Sequence, residues 1–458
     1  MKKFFKVAGI ILGILIILHI ILNITFSIQL RNKINELKKQ GKPTTIAEII
    51  PPPVPDEDNA AILYNKAFEL MKNGEESNVK KLSTVEKYLK SLYDISQWTD
   101  EQKQEIPRLI NSKEIQNIYR LLEEGSKKSK CRFNIEYEKG PEKIFFPYSF
   151  ETQFSVKLLC IKALLEAESG NMEQAFNILL IGLKMSNHLK DEPTLISQLV
   201  RISGNTIIIK CIENISNSKS VPPQQTTLIM SGLPNHADIT SLIKCLDVER
   251  VACGMWGFEQ ILQGKISSKE WNVWDNEPLW IRFYPTYLFR PIQKKDFTCY
   301  LTAISKMQEN FKLPYYKIEL QMGYNPTPFY SGEQIPIPKY WEEQIPKYCI
   351  LTRAFISTLD RIGRLEVEHQ ANIEICRTGL ALKIFKAGNG TYPETLFFLS
   401  ERPIDPFSGK ELIYKKSGNG FILYSLGPNM KDDGGTPRVS DYKDPNYENY
   451  DIVWKCEK

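Results

Sequence analysis

The chain has 458 residues, 42% hydrophobic and 25% charged, with 59 Lys and Arg against 54 Asp and Glu. That length implies two or three folded units, and the ordinary composition excludes wholesale disorder, collagen-like repeats and a polytopic membrane protein. A formal net charge of +5 is far from the clustered basic excess that nucleic-acid binding needs, so no nucleic-acid partner is expected. The four histidines, His19, His188, His236 and His369, are too scattered for a local His-based zinc motif.

The first element is an uncharged apolar run, VAGIILGILIILHIILNITFSI, at 7–28, behind the basic head MKKFFK. About 22 residues at 1.5 Å each make about 33 Å of helix, enough for the roughly 30 Å hydrocarbon core of a bilayer. No A-x-A cleavage pattern follows, so an uncleaved signal anchor over 1–28 is expected rather than a removed signal peptide. His19 and Asn23 share a face of this helix at i, i+4. They mark a helix partner or proton path, or are polar groups tolerated near one end by snorkelling. Lys2, Lys3 and Lys6 precede the span, and Arg31, Lys33, Lys38, Lys39 and Lys42 follow it. The positive count alone favours a cytoplasmic body. The short basic head on a long first apolar segment favours the opposite: amino terminus inside, bulk extracytoplasmic.

A juxtamembrane helix and the stiff spacer PPPVPDEDN are expected over 29–57, because consecutive prolines fix an extended backbone and remove donors. Helical periodicity then dominates, starting at an N-cap on Asp58 or Asn59. Phe154, Leu158, Ile161 and Leu165 form one stripe, and Met172, Phe176, Leu179 and Leu183 repeat its offsets after Gly170-Asn171. With Asn171 as cap and Gln174 at the capping-box position, the two helices read as an antiparallel pair resembling a single tetratricopeptide-like unit, without a 34-residue recurrence along the chain. A helical bundle or short solenoid-like domain over 58–346 is expected.

The end of that domain, 271–346, is rich in Trp, Tyr and Pro. It is either an aromatic platform for a glycan or peptide, or an irregular segment pinned to the helical core by its aromatic side chains. The nine cysteines contain no C-x-x-C pair and several sit in apolar runs, the pattern of buried, inert thiols.

From 347 a long helix of about 40 residues, roughly 60 Å, is expected, with Gly363 as a possible interruption and Gly388-Asn389-Gly390 as its left-handed stop. Glu411 to Lys415 and Phe421 to Ser425 flank a glycine-rich turn and form a hairpin, giving one helix packed on a small antiparallel sheet. The fold class is therefore mainly α: a transmembrane helix, a helical middle and a small α+β head within 347–458.

The ordered series Gly390, Tyr392, Pro393; Asp405, Pro406, Phe407, Gly409; Tyr424, Ser425, Leu426, Gly427; an Asp-Gly-rich loop; and Asp451, Ile452, Trp454 resembles the globular head of the major pseudopilin of type II secretion systems. The resemblance covers about 90 residues and implies a pilin-like head. The prepilin peptidase site that begins pseudopilins is not present at this amino terminus, so polymerisation into a pilus is not implied. The whole chain also resembles large bacterial membrane-anchored proteins that end in such a head. In the pseudopilin family the loop after the Y-S-L-G strand holds a structural calcium ion, and by that resemblance Asp432, Asp433 and Asp451 are metal candidates, with Asp441 and Asp444 between them. Carboxylate and backbone oxygens suit a hard cation, while a solvated acidic loop closed by local hydrogen bonds is the alternative.

No nucleophile elbow, zincin, P-loop or Rossmann signature occurs. Glu366 and His369, with Glu368, are either an acid–base or metal-contacting group, or one charged face of the long helix. The expectation is a non-enzymatic, membrane-anchored binding or scaffold protein with a protein partner. A component of a secretion or pilus-type assembly, and an envelope-polymer-acting enzyme using the aromatic segment, are the alternatives.

Overall fold

The computed structural model describes residues 2–72, 78–87, 94–139, 148–234, 239–266, 281, 283–322, 339–439 and 449–457. The apolar run and the polar segment behind it form one unbroken helix, α1 (Lys2–Lys39), of 38 residues. Side chains from Phe4 to Leu18 are exposed on every side. From His19 onward the face carrying Asn23, Phe26, Ser27, Leu30 and Ile34 is partly covered, and Leu37 is fully buried.

The body is helical. It begins with α2 (Ala60–Lys72), α3 (Asn78–Lys87), α4 (Asp100–Ile110) and α5 (Lys113–Ser126). Asn59 caps α2, its Oδ1 accepting from the Ala61 N–H at 3.1 Å, and also bonds both backbone groups of Arg132, tying the chain after α5 back to the first helix. The expected antiparallel pair is α6 (Ser149–Glu168) and α7 (Met172–Asn187), which turn at Gly170 with φ +86°. The capping box expected at Asn171 is not formed. Asn171 makes no side-chain cap bond, and its amide reaches back to Glu166 at 3.0 Å, so the side chain closes the turn instead of the next helix. Helix α8 (Leu195–Ser218) is long and apolar enough to cross a membrane, yet most of it is buried against α6, α7 and a later helix.

Next come α9 (Pro223–Gly232), α10 (Ile239–Val248), a π-helical stretch at Glu249–Met255, α11 (Trp256–Leu262) and α12 (Arg290–Asn310). The long carboxyl-terminal helix, α13, runs Ile350–Asn389 without a break and stops at Gly390, whose φ of 78° is left-handed and whose N–H bonds the Lys386 carbonyl. Gly363 does not interrupt it. A Cβ there would stand 2.6 Å from the Phe311 ring, so this glycine is where the turn after α12 presses onto α13.

The sheet is β1 (Ile413–Ser417), β2 (Gly420–Ser425) and β3 (Ile452–Cys456), in the order β1-β2-β3 with both pairings antiparallel. The hairpin is tighter than its sequence suggests, because Lys416 and Ser417 belong to the strand. Only Gly418-Asn419 turns, Gly418 taking the positive φ that a two-residue turn reserves for glycine. Alternate residues of β2 and β3 (Phe421, Leu423, Ile452 and Trp454) are buried, and the sheet packs on α13.

Helix α12 joins the two ends of the molecule. Toward α1, Lys294 Nζ lies 2.6 Å from both Asn23 Oδ1 and Ser27 Oγ, and the Lys295 ammonium lies over the Phe26 ring. Two residues further on and toward α13, Asp296 accepts from the backbone N–H groups of Leu351 and Thr352, the first turn of that helix. A second clamp holds the segment that follows α1: buried Arg250 donates to the Pro43 carbonyl at 2.9 Å and pairs with Asp247 at 2.7 Å, and Lys42 reaches Gln308. Asn23 thus has a helix partner in Lys294 and is not simply a tolerated polar group, whereas the His19 ring packs 5.7 Å from that of Tyr287 with its Nε2 lacking a hydrogen-bond partner among the described residues.

Candidate functional site

The head is organised by Asp405, which is buried. Its carboxylate accepts from Phe407 N, from Ser408 N and Oγ, from Ser425 Oγ at 2.6 Å and from Leu426 N. One carboxylate therefore both closes the D-P-F-x-G turn and grips the end of β2. Gly427 then turns the chain at φ +67°, where a Cβ would meet the Tyr450 carbonyl oxygen at 2.3 Å. Only glycine permits both that dihedral and that approach.

The acidic loop begins there. Asp432 Oδ1 accepts from Tyr424 OH at 3.0 Å and from Gly434 N at 2.9 Å, and Lys415 donates to the same phenol at 2.8 Å. The Gly434 N–H, the Tyr424 hydroxyl and the Lys415 charge hold the Asp432 carboxyl below its ordinary value. Asp433 accepts from the Asn429 amide at 2.9 Å. Asp451 is 1% exposed; its Oδ2 accepts from Gly435 N at 2.7 Å, while its Oδ1 has no hydrogen-bond partner among the described residues. Burial pushes the Asp451 carboxyl up to about 6. The charges of Asp433 and Asp432 add to the rise, and backbone N–H groups of Gly435 and Asp433 oppose it.

The three aspartates thus lie on one loop closed over the end of β2, with Asp432 and Asp433 engaged locally and Asp451 under-satisfied. Among the described residues no three carboxylate, thiol or imidazole groups converge into a metal-ligating cluster. Asp441 and Asp444 lie outside the described residues.

The Glu366, Glu368 and His369 cluster is neither an acid–base pair nor a solvated face. Glu366 is 4% and His369 1% exposed, in the contact between α8 and α13. Glu366 pairs with Arg201 at 2.7 Å, His369 Nε2 stands 3.4 Å from the Asn205 amide, and Glu368 accepts from Tyr450 OH at 2.8 Å. Each side chain serves a different partner, because α13 is covered on more than one side and its polar residues are recruited as bolts. Burial, helped by the Arg201 charge, lowers the His369 imidazole to about 3 and keeps it neutral.

No protein-family model, curated protein or solved structure matches the chain.

Part of the described aromatic segment is pinned to the core, while Phe283 and Tyr287 stand exposed. Tyr284 is buried with its hydroxyl on Asp296 at 2.7 Å, Trp341 is buried, and Tyr315 donates to the Pro428 carbonyl while its ring meets Phe407 edge-on. All of 271–280 and of 323–338 lie outside the described residues. All nine cysteines are free, and only Cys253 and Cys299 are less than fully buried. Sequence reading did not single out Lys294, Asp296 or Arg201. A charged residue within an amphipathic pattern carries no local sign that it faces another helix.

Proposed function

We infer that this chain is a single-span protein of the bacterial cytoplasmic membrane whose bulk lies on the extracytoplasmic side. It acts as a binding and assembly scaffold, holding a pseudopilin-like head at a set distance from the bilayer for a protein partner. The observation that carries this reading is the double grip of α12. Lys294 holds α1 and Asp296 holds the first turn of α13, whose other end carries the sheet. A membrane helix joined to the head through partly and fully buried polar contacts suits a positioning role more than a tethered catalyst on a loose linker.

A structural calcium ion belongs to the same reading, held by Asp451 with Asp432 and Asp433. Its support is the unpartnered, buried Oδ1 of Asp451 and the elevated affinity of that carboxyl for a proton, both relieved by a cation. The ion would supply charge neutralisation and tie the loop to β3. Calcium at about a hundred times its dissociation constant would stabilise the full chain by about 2.7 kcal/mol, and Asp451→Asn would remove the shift. No change in melting temperature between saturating calcium and chelator would overturn the ion.

For the scaffold itself, a photocrosslinker in intact cells at Phe397, 69% exposed on the head, is expected to capture a discrete protein neighbour. A secretion-platform component among the adducts would favour the assembly reading. The absence of any adduct, or glycan turnover by the purified full chain, would overturn the scaffold. An alkaline-phosphatase fusion at the carboxyl end that stays inactive would overturn the orientation.

A further inference from the structure

Three large apolar side chains stand out of the body beside the membrane helix: Phe283 at 58%, Tyr287 at 65% and Leu288 at 71% exposure. They precede α12, and the ring of Tyr287 lies 5.7 Å from that of His19. That contact sets their depth. The Lys294 ammonium on Asn23 and Ser27 marks where α1 leaves hydrocarbon, because a lysine is strongly disfavoured in the bilayer core. His19 lies four residues, about 6 Å, on the membrane side of Asn23. Counting about 20 residues from Val7, the first after the basic head, puts the boundary near Phe26, within one turn of Asn23. Tyr287 and its neighbours are therefore level with the last turns of the span and not with bulk water.

The adjacent charges are of one sign. Arg290 lies over the Tyr287 ring at 4.9 Å, Lys294 and Lys295 follow within two turns, and the one carboxylate of that stretch, Asp296, is buried and points at α13. An aromatic and aliphatic tip backed by basic side chains, continuous with a helix already in lipid, is the chemistry of an interfacial membrane contact.

We propose that residues 283–290 form a second membrane contact, with Phe283, Tyr287 and Leu288 entering the headgroup layer beside α1 and Arg290 and Lys295 holding the phosphate of an anionic phospholipid. The body is then seated on the bilayer at two points, which sets its tilt. This rests on α1 spanning the membrane.

The test uses the full chain in phosphatidylcholine vesicles with and without phosphatidylglycerol, carrying a benzophenone amino acid in place of Leu288, of Ile16 in the span, or of Phe397 on the head. Lipid adducts from Ile16 and Leu288 but not from Phe397 are the expected result. Adducts from Ile16 alone would overturn the second contact and leave the anchor standing. Their absence at Ile16 would overturn the anchor itself. Phosphatidylglycerol is expected to be enriched among the Leu288 adducts by about fivefold over its bulk share, and to fall to that share in R290Q/K295Q. Unchanged bulk proportions in the unsubstituted chain would overturn the headgroup site.

Discussion

Asp296 on α12 replaces a local cap at the start of α13: Thr352 donates its backbone N–H to Asp296 Oδ1 at 3.1 Å, and its hydroxyl lies 2.5 Å from the same oxygen and 2.9 Å from the Asp296 carbonyl. The residue at the N-cap position itself, Cys349, makes no side-chain cap bond. A helix N-terminus carries unpaired N–H groups and partial positive charge, so a buried carboxylate there satisfies both needs while joining two distant segments.

Asp296→Ala removes that cap and leaves the Leu351 and Thr352 N–H groups and the Tyr284 hydroxyl without their acceptor. A loss of about 2–4 kcal/mol is expected in chemical unfolding of the full chain in detergent, with Asp296→Asn losing less because one oxygen remains. A loss under about 1 kcal/mol for the alanine variant would remove the joint's structural weight.

Arg201 and Glu366 are a buried pair, so deleting one partner strands the other. Glu366→Ala or Arg201→Met is expected to cost about 3–5 kcal/mol, whereas the double replacement by methionine should recover most of it. A double variant as unstable as the sum of the singles would contradict the pairing.

His369 sets a pH dependence with a defined sign. Its folded value, about 3, lies below the unfolded one near 6.5, so between those limits the unfolded chain binds the extra proton and stability falls as pH falls. Asp296 and Asp451, both raised to about 6, act in the opposite direction over pH 6 to 4. The measurement is therefore a difference: the stability advantage of the unsubstituted chain over His369→Gln should shrink by about 2 kcal/mol between pH 7 and pH 5. A constant difference across that range would mean the imidazole is not held neutral.

Gly379 is where the sheet seats on α13, since a Cβ there would lie 2.2 Å from the Trp454 ring. Gly379→Ala is expected to cost about 1–3 kcal/mol by overpacking, and Gly379→Ala with Trp454→Phe should recover part of the loss. Trp454 also donates its indole N–H to Asn217 at 3.0 Å, so the same variant should expose the head to limited proteolysis. A tolerated alanine with unchanged proteolysis would place the sheet elsewhere.

Much of this protein is written locally in its residues. The length of the apolar run sets α1, the matched stripes on either side of Gly170 set α6 and α7, Gly390 ends α13, and the glycine pair around Asn419 sets the hairpin, because periodicity and positive-φ turns act over a few neighbours. What only the tertiary structure decided are the partners of polar residues. Whether Asn23 meets another helix or is merely tolerated was open until Lys294 of α12 met it. Glu366 and His369 looked like a wet face until α8 buried them. Gly363 looked like a break until Phe311 filled its space. A single chain records which residues are apolar and how they recur. Which charged group meets which is settled by how the helices cross, and that depends on the packing of the whole.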